Sequence, residues 1–219
     1  MSEAPPEHPL FARFYERMIA GTEKAGLSEM RRSLLSRASG RTLEVGAGTG
    51  LNLPFYTDAV SELVLAEPDP HMAKRLRLRL SEQGPPADIA VRVIEAGAED
   101  LPFDDESLDT VVSTLVLCTV ESPEQSLAEA RRVLVEGGAL LYLEHVRSEG
   151  RARAWWQDRL DRPWGVIAGG CHPNRPTPET LADAGFWVEQ MDRTEMPKAP
   201  PWMKPMISGV ARRPEAARR

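Results

Sequence analysis

Three glycines in alternate positions could bring the backbone close to a ligand. Gly46, Gly48 and Gly50 follow a short apolar segment, residues 42–45, with one residue between neighbouring glycines. Because glycine lacks a side chain, it adopts left-handed turn conformations and lets a ligand approach the main chain. The pattern therefore predicts a binding turn at the end of a strand, in preference to a flexible surface loop.

The spacing of this turn separates it from two common phosphate-binding motifs. The dinucleotide fingerprint G-x-G-x-x-G requires a glycine where this chain has Leu51, and the lysine of a phosphate loop is missing. Residues 42–58 contain no lysine or arginine. The turn is therefore suited to a nucleotide-like ligand that carries no phosphate.

An acid lies at the distance from the turn that a ribose contact requires. Glu67 is 17 positions after Gly50, at the end of the second predicted strand. A carboxylate offers two acceptors to a vicinal diol, which is how an acid about 20 residues downstream binds ribose in dinucleotide folds. An isolated glutamate at a strand end is usually a solvated surface residue, but beside the glycine turn it predicts a ribose contact.

Short β-branched segments alternate with longer helical patterns, which is typical of βαβ units around a parallel sheet. The strands are mostly apolar, as expected when helices cover both faces of the sheet. The sequence therefore predicts an α/β fold. The five central strand candidates are residues 42–45, 63–66, 89–94, 108–114 and 139–143.

Helix starts are marked by caps. Asp69 and Ser122 each precede a proline, the arrangement of an N-cap followed by the first helical residue. Residues 74–80 alternate leucine with lysine or arginine, which would also suit a strand or a nucleic-acid patch. We expect a solvated helix face there. Gly137 and Gly138 are predicted to end the second helix with a left-handed cap.

The two ends of the chain differ from this central pattern. Residues 11–19 place aromatic and apolar side chains at helical spacing, which predicts an amphipathic helix. Residues 186–191 and 206–210 are predicted to form a terminal antiparallel strand pair. The predicted organisation is an N-terminal helical cap over residues 1–40, one central domain over residues 41–211 and a flexible tail over residues 212–219.

Composition limits the classes of function. The chain has 219 residues, of which 42% are hydrophobic and 27% charged, as in one folded globular domain. Its net charge of −6 repels phosphate backbones, so no nucleic-acid partner is predicted. Cys118 and Cys171 have neither disulfide-framework nor metal-site spacing, which favours a reducing, cytoplasmic location and no metal. The longest apolar run is interrupted by serine and threonine, so no transmembrane segment is expected.

Four marks in the chain resemble the class I S-adenosylmethionine-dependent methyltransferases. They are residues 43–50, Glu67, residues 97–103 and residues 131–138, and they extend over residues 40–145. The resemblance implies a Rossmann-like fold with a mostly parallel seven-stranded sheet, one antiparallel strand, helices on both faces and an N-terminal helical lid. It also implies S-adenosyl-L-methionine as cofactor and a methyltransferase domain over residues 41–211.

The resemblance implies a set of cofactor contacts. The three glycines would pass under the cofactor, Glu44 would reach toward its amino-acid part, and Glu67 would hold the ribose. Ala98 and Glu99 would border the adenine. The implied cofactor residues are Glu44, Gly46, Ala47, Gly48, Gly50, Asn52, Glu67, Pro68, Met72, Ala98, Glu99, Thr114 and Leu115.

A narrower likeness extends into the last third of the chain. Residues 8–10, 114–120, 143–146, 170–177 and 184–186 resemble animal methyltransferase-like proteins that methylate alkyl thiols, and bacterial relatives near the quinone and phosphatidylethanolamine methyltransferases. This implies methyl transfer to a small, fairly apolar molecule, with a thiol preferred. A quinol, a phenol or a lipid amine is an alternative acceptor. A catalytically silent S-adenosylmethionine-binding module, or an NAD-dependent dehydrogenase, is an alternative of another class.

The catalytic candidate follows from the position of the acceptor. In an open α/β sheet, ligands bind beyond the carboxyl ends of the strands, so residues 114–118 and 144–145 would face the transferred methyl group. His145 is the candidate, because imidazole can remove a proton from a thiol or hydroxyl near neutral pH. Alternatively, His145 is merely hydrogen-bonded at a strand end. A thiol acceptor could dispense with the base, because it is already partly ionised at pH 7.

The acceptor pocket is predicted to be walled by aromatic side chains and closed by the N-terminal helix, which would exclude water from the sulfonium centre. The pattern of that helix also allows peripheral membrane contact, and both a monomer and a homodimer stay open. Adjacent Cys171 and His172 fit neither a nucleophile pair nor a metal site. The predicted acceptor residues are Phe11, Tyr15, Cys118, Trp155, Cys171 and His172.

Overall fold

The computed structural model describes residues 9–215, so His8 and residues 216–219 of the sequence predictions lie outside it. The strands are β1 (Gly40–Val45), β2 (Val60–Ala66), β3 (Ala90–Ile94), β4 (Leu108–Thr114), β5 (Leu134–His145), β6 (Trp187–Glu195) and β7 (Pro205–Arg212). The α-helices are α1 (Pro9–Thr22), α2 (Ser28–Leu35), α3 (Pro70–Gln83), α4 (Pro123–Val133), α5 (Arg151–Ile167) and α6 (Thr177–Asp183). A π-helical turn, Glu23–Leu27, joins α1 to α2.

The seven strands form one sheet in the order β3-β2-β1-β4-β5-β7-β6. β7 runs antiparallel to both β5 and β6, and the other neighbours are parallel. This confirms the predicted Rossmann-like sheet, including the terminal antiparallel pair. The direction of strand progression reverses between β1 and β4, and ligands bind at the carboxyl ends of strands beside such a reversal.

Helices cover both faces of the sheet. On one face, Leu127 of α4 and Leu181 of α6 pack in a cluster with Tyr142 of β5. On the other face, Leu35 of α2 and Leu76 of α3 pack in a second cluster with β-strand residues. α2 therefore shares a core with the sheet, although it belongs to the predicted N-terminal cap.

Both predicted caps are confirmed. The Asp69 carboxylate accepts hydrogen bonds from the backbone N–H groups of His71 and Met72, at 2.7 and 3.2 Å. The Ser122 hydroxyl accepts one from the N–H of Gln125 at 3.1 Å. Residues 74–80 lie within α3, so the helix is confirmed there over the strand.

The predicted glycine cap of α4 is wrong. The helix ends at Val133, and β5 begins at the next residue, Leu134. Gly137 does have a positive φ of 74°, but it lies inside β5. Its N–H donates to the carbonyl of Arg213 at 3.0 Å, so the glycine bends a strand instead of ending a helix.

The ends of the chain also differ in detail from the predictions. Phe14 and Met18 of α1 are exposed, so the helix does not bury one continuous apolar face. β7 continues through Arg212, and the N–H of Arg213 bonds to Gly138, so regular structure extends past the predicted start of the tail. Within residues 9–215, no helix combines the length and hydrophobicity needed to cross a bilayer.

Candidate functional site

The glycine turn follows β1, where the sheet topology expects a ligand. Gly46 and Gly48 have φ of 57° and 58°, in the left-handed region. A Cβ atom at Gly46 would lie 2.6 Å from Cγ2 of Val116, which no side chain tolerates. The one described atom that a Cβ atom at Gly48 would meet within 4 Å is the Gly46 carbonyl oxygen, at 3.9 Å. Gly48 therefore leaves open space that a side chain would fill.

That space lies in a narrow cleft of about 20 Å³, roughly the room of one water molecule. Its walls come from the glycine turn, from the carboxyl ends of β1 and β4, and from α1 and α2. Six predicted cofactor residues lie in this wall. The lining residues are Tyr15, Arg31, Glu44, Gly46, Ala47, Gly48, Thr49, Leu51, Asn52 and Thr114.

Glu67 is attached directly to the glycine turn. One carboxylate oxygen accepts a hydrogen bond from the N–H of Gly48 at 2.7 Å, and the other accepts from the N–H of Asp69 at 2.9 Å. Burial raises the pKa of Glu67 to about 7, although the hydrogen bonds from these two backbone N–H groups lower it. Glu67 is therefore held beside the cleft with lone pairs left for further donors.

Glu44 occupies the other side of the turn and is buried. Its Oε1 accepts from Nδ2 of Asn52 at 2.8 Å, and its Oε2 accepts from the hydroxyl of Tyr56 at 2.6 Å. Burial raises the pKa of Glu44 to about 7, against the two hydrogen bonds, which lower it. A cationic group in the cleft would favour the ionised form of this carboxyl.

Arg31 of α2 places a buried positive charge at the same end of the cleft. Its Nη1 donates to Oδ1 of Asn52 at 2.9 Å and to the hydroxyl of Thr114 at 3.2 Å. Its Nε donates to Glu23 at 3.0 Å. Asn52 also donates to Thr114 at 2.8 Å, so β1, β4 and α2 meet in one polar network.

These residues fit the cofactor that the sequence implies. Glu44 and Arg31 offer a carboxylate and a guanidinium to an amino acid's ammonium and carboxylate groups, and Glu67 offers acceptors to a diol. The space above Gly48 admits a ligand against bare backbone. The cleft therefore has the donor and acceptor set that S-adenosylmethionine needs.

The remaining implied cofactor residues lie outside the wall of the cleft. Gly50 packs against Leu76, since a Cβ atom there would lie 2.7 Å from Cδ1 of that leucine. Glu99 accepts a hydrogen bond from the N–H of Glu121 at 2.9 Å, ahead of α4, instead of facing open space. Pro68, Met72, Ala98 and Leu115 are buried or half-buried beside these elements.

α1 closes the cleft from above. Tyr15 lines it, and burial raises the pKa of its hydroxyl. Glu16, the next residue, pairs with Arg79 of α3 at 2.7 Å. Nε of Arg79 in turn donates to the carbonyl of Thr49 at 2.7 Å, so α1 is connected to the glycine turn through one arginine.

The environment of His145 does not suit a general base. The side chain is 3% exposed, and its Nδ1 atom has no hydrogen-bond partner among the described residues. Burial lowers its pKa to about 4, although the carbonyl groups of Pro205 and Met203 raise it. A base with so low a pKa is a weak proton acceptor at neutral pH. The role predicted for His145 therefore stays a prediction without geometric support.

The predicted acceptor residues lie close together in the structure, except Trp155. The ring of Phe11 lies 5.3 Å from that of Tyr15 and packs against Gly169, which precedes Cys171 in the same segment. The sulfur atoms of Cys118 and Cys171 are 3.8 Å apart. Trp155, by contrast, is 49% exposed and lies on a separate surface of α5 with Arg147 and Asp158.

His172 is attached to its neighbours at two points. Its N–H donates to the carbonyl of Cys118 at 2.6 Å. Its Nδ1 lies 3.0 Å from each carboxylate oxygen of Asp161, and its ring packs against Gly165 in α5. The imidazole ring is therefore held against α5.

Sequence reasoning missed Arg31 and Tyr56. Arg31 had a signal, because Leu27, Leu34 and Leu35 place it at helical spacing on the buried face of α2. An arginine on an apolar helix face is rare unless it has a buried partner. Tyr56 had no comparable signal, because the short loop that carries it follows no periodic pattern.

Comparisons with known proteins support a methyltransferase. A family model for a methyltransferase domain matches residues 43–142, which include the turn, Glu67 and Thr114. A solved structure of an S-adenosylmethionine-dependent methyltransferase from Thermotoga maritima, described as a possible histamine N-methyltransferase, superposes with a TM-score of 0.65. It is 25% identical, and the match covers 93% of this chain and 98% of that one.

Two human relatives match more of the chain than the family model does. Thiol S-methyltransferase TMT1A is 31% identical over 204 residues, which cover 92% of this chain and 82% of that protein. Thiol S-methyltransferase TMT1B is 39% identical over 167 residues, covering 74% and 67%. The chain thus belongs to the class I S-adenosylmethionine-dependent methyltransferases, in the group that includes these thiol S-methyltransferases, and S-adenosylmethionine is its cofactor.

Proposed function

We propose that this methyltransferase transfers the methyl group to the sulfur of a small, fairly apolar thiol. The two human relatives that cover most of the chain are thiol S-methyltransferases. The observation that carries the proposal is the burial of His145, whose pKa is lowered to about 4. Since that histidine is a poor base at neutral pH, an acceptor that ionises by itself is favoured.

A thiol meets that requirement better than the alternatives. A free thiol with a pKa near 8.5 is already a few per cent thiolate at pH 7 and is intrinsically nucleophilic. A phenol or quinol needs more help with its proton, because its pKa is near 10. Holding a thiolate in line with the methyl group then supplies most of the acceleration.

The cofactor site follows from the contacts around the glycine turn. Bound S-adenosylmethionine supplies an electrophilic methyl group on a sulfonium. Glu67 binds the ribose diol, and Arg31 faces the carboxylate of the cofactor's amino-acid part. Glu44 lies within the same network and balances the positive charge of that part. Support comes from the position of these three groups beside the cleft over Gly48.

The acceptor enters beside α1 and the segment after α5. Trp164 packs against Cys118 and Cys171, and its ring lies 5.2 Å from that of Trp202, edge to face. Its indole nitrogen is buried with no partner among the described residues. An apolar wall with one free donor suits a small uncharged thiol better than a charged one.

α1 acts as a lid over both ligands. The cleft under Tyr15 is small for the cofactor, so the helix moves outward for the ligand to enter. The π-helical turn Glu23–Leu27 contains Gly26 at φ 136° and offers a hinge. A closed lid excludes water from the sulfonium.

The setting proposed for the enzyme is the cytoplasm, with a small-molecule acceptor. Both cysteines are free, which suits a reducing compartment. The division into an N-terminal cap, a methyltransferase domain and a tail is kept as a proposal. Peripheral membrane contact is also kept as a proposal, and so are a monomer and a homodimer as alternative oligomeric states.

The test is transfer of a labelled methyl group from S-adenosylmethionine to four acceptors: a small alkyl thiol, a quinol, a phenol and phosphatidylethanolamine. His145→Gln serves as the control variant in each reaction. We expect labelled thioether from the thiol, with at most a few-fold change in His145→Gln. Label on the quinol, phenol or amine instead would overturn the thiol assignment. Tight cofactor binding with no label on any acceptor would favour a silent binding module.

A further inference from the structure

Cys118 and Cys171, together called the dithiol, form a pair that the proposed methyl transfer does not use. Cys118 lies in the turn after β4, and Cys171 lies in the segment after α5. Their sulfur atoms are 3.8 Å apart, with the Cys171 thiol placed to donate to the Cys118 sulfur. Both are free and buried.

The backbone around the dithiol already ties the two segments together. The His172 N–H donates to the Cys118 carbonyl at 2.6 Å. The guanidinium of Arg175 donates to the carbonyl groups of Leu117 and Val120, both at 2.6 Å. A disulfide requires the sulfur atoms to approach by about 1.8 Å, to the usual bond length near 2.05 Å. Neither cysteine lies in a strand ladder, so no strand pairing opposes side-chain rotation or small loop shifts that would bring the sulfur atoms together.

The two thiols differ in reactivity. The Cys118 pKa lies well above its usual value, because Cys171 donates a hydrogen bond to its sulfur and because the side chain is buried at 1% exposure. Thiolates, not thiols, attack disulfides, so Cys118 is inert as the first nucleophile. Cys171, at 7% exposure, is the more accessible of the two. The reaction therefore starts at Cys171.

We propose that the dithiol is a redox site that a small disulfide of the acceptor class oxidises to a Cys118–Cys171 bond. The proposal rests on the proposed function, because a pocket that admits a small thiol also admits its disulfide. Oxidation of the dithiol would then indicate that the acceptor molecules are present as disulfides and no longer as thiols.

Two exchange steps balance the reaction. In the first step, Cys171 releases its proton to solvent and its thiolate attacks one sulfur of the disulfide RSSR, so that a Cys171–S–SR bond forms and one RS⁻ leaves. The hydrogen bond from Cys171 that raises the pKa of Cys118 is thereby lost. In the second step, Cys118 releases its proton to solvent, and its thiolate attacks the Cys171 sulfur and expels a second RS⁻. The dithiol is oxidised by two electrons, and the disulfide is reduced to two thiols.

The bond would act on the acceptor side of the enzyme. It would tie the turn after β4 to the segment that packs against Phe11 of the lid. The cofactor contacts at Gly48 and Glu67 lie outside the bridged segments. We therefore expect acceptor turnover to fall severalfold after oxidation, with the cofactor dissociation constant unchanged.

The experiment treats the full chain with bis(2-hydroxyethyl) disulfide, quenches it in acid and counts free thiols by alkylation under denaturing conditions and mass spectrometry. The wild type is expected to lose both alkylatable thiols and to yield a linked Cys118–Cys171 peptide. Cys118→Ser should stop at a mixed disulfide on Cys171, whereas Cys171→Ser should form no adduct. Two alkylatable thiols in the treated wild type, or an adduct on Cys118 in Cys171→Ser, would overturn the proposal.

The mass readout separates this proposal from methyl transfer. If the Cys118–Cys171 bond forms but no thiol is methylated, the proposal for the dithiol is supported and the proposal of a thiol acceptor is wrong. If thiols are methylated but the bond does not form, the dithiol proposal alone fails. Turnover of the oxidised wild type is expected to recover with a reductant. The turnover of Cys171→Ser is expected not to change on adding the disulfide.

Discussion

Glu67 combines a raised pKa with a place beside the glycine turn, which makes its protonation state part of cofactor binding. Its pKa of about 7 means that roughly half of the molecules carry a neutral acid at pH 7. The ionised form accepts both diol hydrogens, and the protonated form loses one acceptor. Cofactor affinity should therefore rise as pH increases through 7 and fall below it.

This prediction is checked with S-adenosylhomocysteine, which has no sulfonium charge, by calorimetry between pH 6 and pH 8. For one group with a pKa near 7, the ionised fraction changes about tenfold over that interval. We expect the dissociation constant of the wild type to decrease by at least that factor, because the pKa of Glu44 is also about 7 and its ionised form is favoured by the ammonium group of the ligand. Glu67→Gln is expected to bind about ten- to hundredfold more weakly and with a flatter pH dependence. A pH dependence that is identical in Glu67→Gln would contradict the assignment.

Arg31 supports a second prediction, and the next residue in the helix provides its control. Arg31 is 3% exposed and bonds to Glu23, Asn52 and Thr114, whereas Arg32 is exposed and pairs with Glu29. Arg31→Met is expected to weaken S-adenosylhomocysteine binding by at least tenfold, because a carboxylate loses its cationic partner. Arg32→Met is expected to change it less than twofold. Equal affinities for the two variants in the same titration would remove Arg31 from the cofactor site.

Gly48 carries the prediction for the turn as an element. Gly48 and Gly84 both have left-handed φ, of 58° and 75°, and both have room for a Cβ atom. Alanine at either position costs about 1–3 kcal/mol of stability from backbone strain alone, and the larger cost is expected at Gly84, whose ψ of 172° is nearly restricted to glycine. Gly48→Ala is expected also to abolish tight cofactor binding, because the methyl group enters the cleft. Gly84→Ala, at the end of α3, should keep it.

Thermal melts with and without S-adenosylhomocysteine check this pair of variants. Without ligand, both should melt lower than the wild type. The ligand should raise the melting temperature of Gly84→Ala as it does that of the wild type. A similar rise in Gly48→Ala would show that the cofactor does not lie over Gly48.

The elements around the turn were predictable for local reasons. Asp69 and Ser122 cap helices through hydrogen bonds to residues within three positions, so their sequence context suffices. Glu67 was predictable because its distance from the glycines follows from the short connection between the neighbouring parallel strands β1 and β2. The cap at Gly137 was wrong because that glycine's positive φ serves a strand pairing with Arg213, a residue distant in sequence.

The polar network and the acceptor wall depend on contacts that no local pattern encodes. Arg31 reaches Thr114 across 83 positions, and His145 is buried by β7 and the segment before it. The sequence around a histidine at a strand end is the same whether its side chain is solvated or buried. Only the arrangement of the last third of the chain showed that its pKa is lowered.

The proposed role of α1 as a lid concerns the whole molecule. α1 contributes Ala12 as its one buried residue and is connected to the rest through Tyr15 and the Glu16–Arg79 pair. Deleting residues 1–25 is therefore expected to lower turnover by at least tenfold, with a smaller effect on the free energy of unfolding. Glu16→Gln, which loosens the connection alone, should show a smaller loss in turnover. Unchanged turnover in the deletion, measured with denaturant melts alongside, would show that α1 is not a lid.

The central claim is that the acceptor is a thiol that ionises without an enzyme base. The most direct test is the pH dependence of kcat/KM at saturating S-adenosylmethionine for two small thiols of different pKa. The account predicts that the midpoint of each profile follows the pKa of the thiol used, and that His145→Gln does not move it. One midpoint shared by both thiols, and moved by His145→Gln, would contradict the claim and restore His145 as the base.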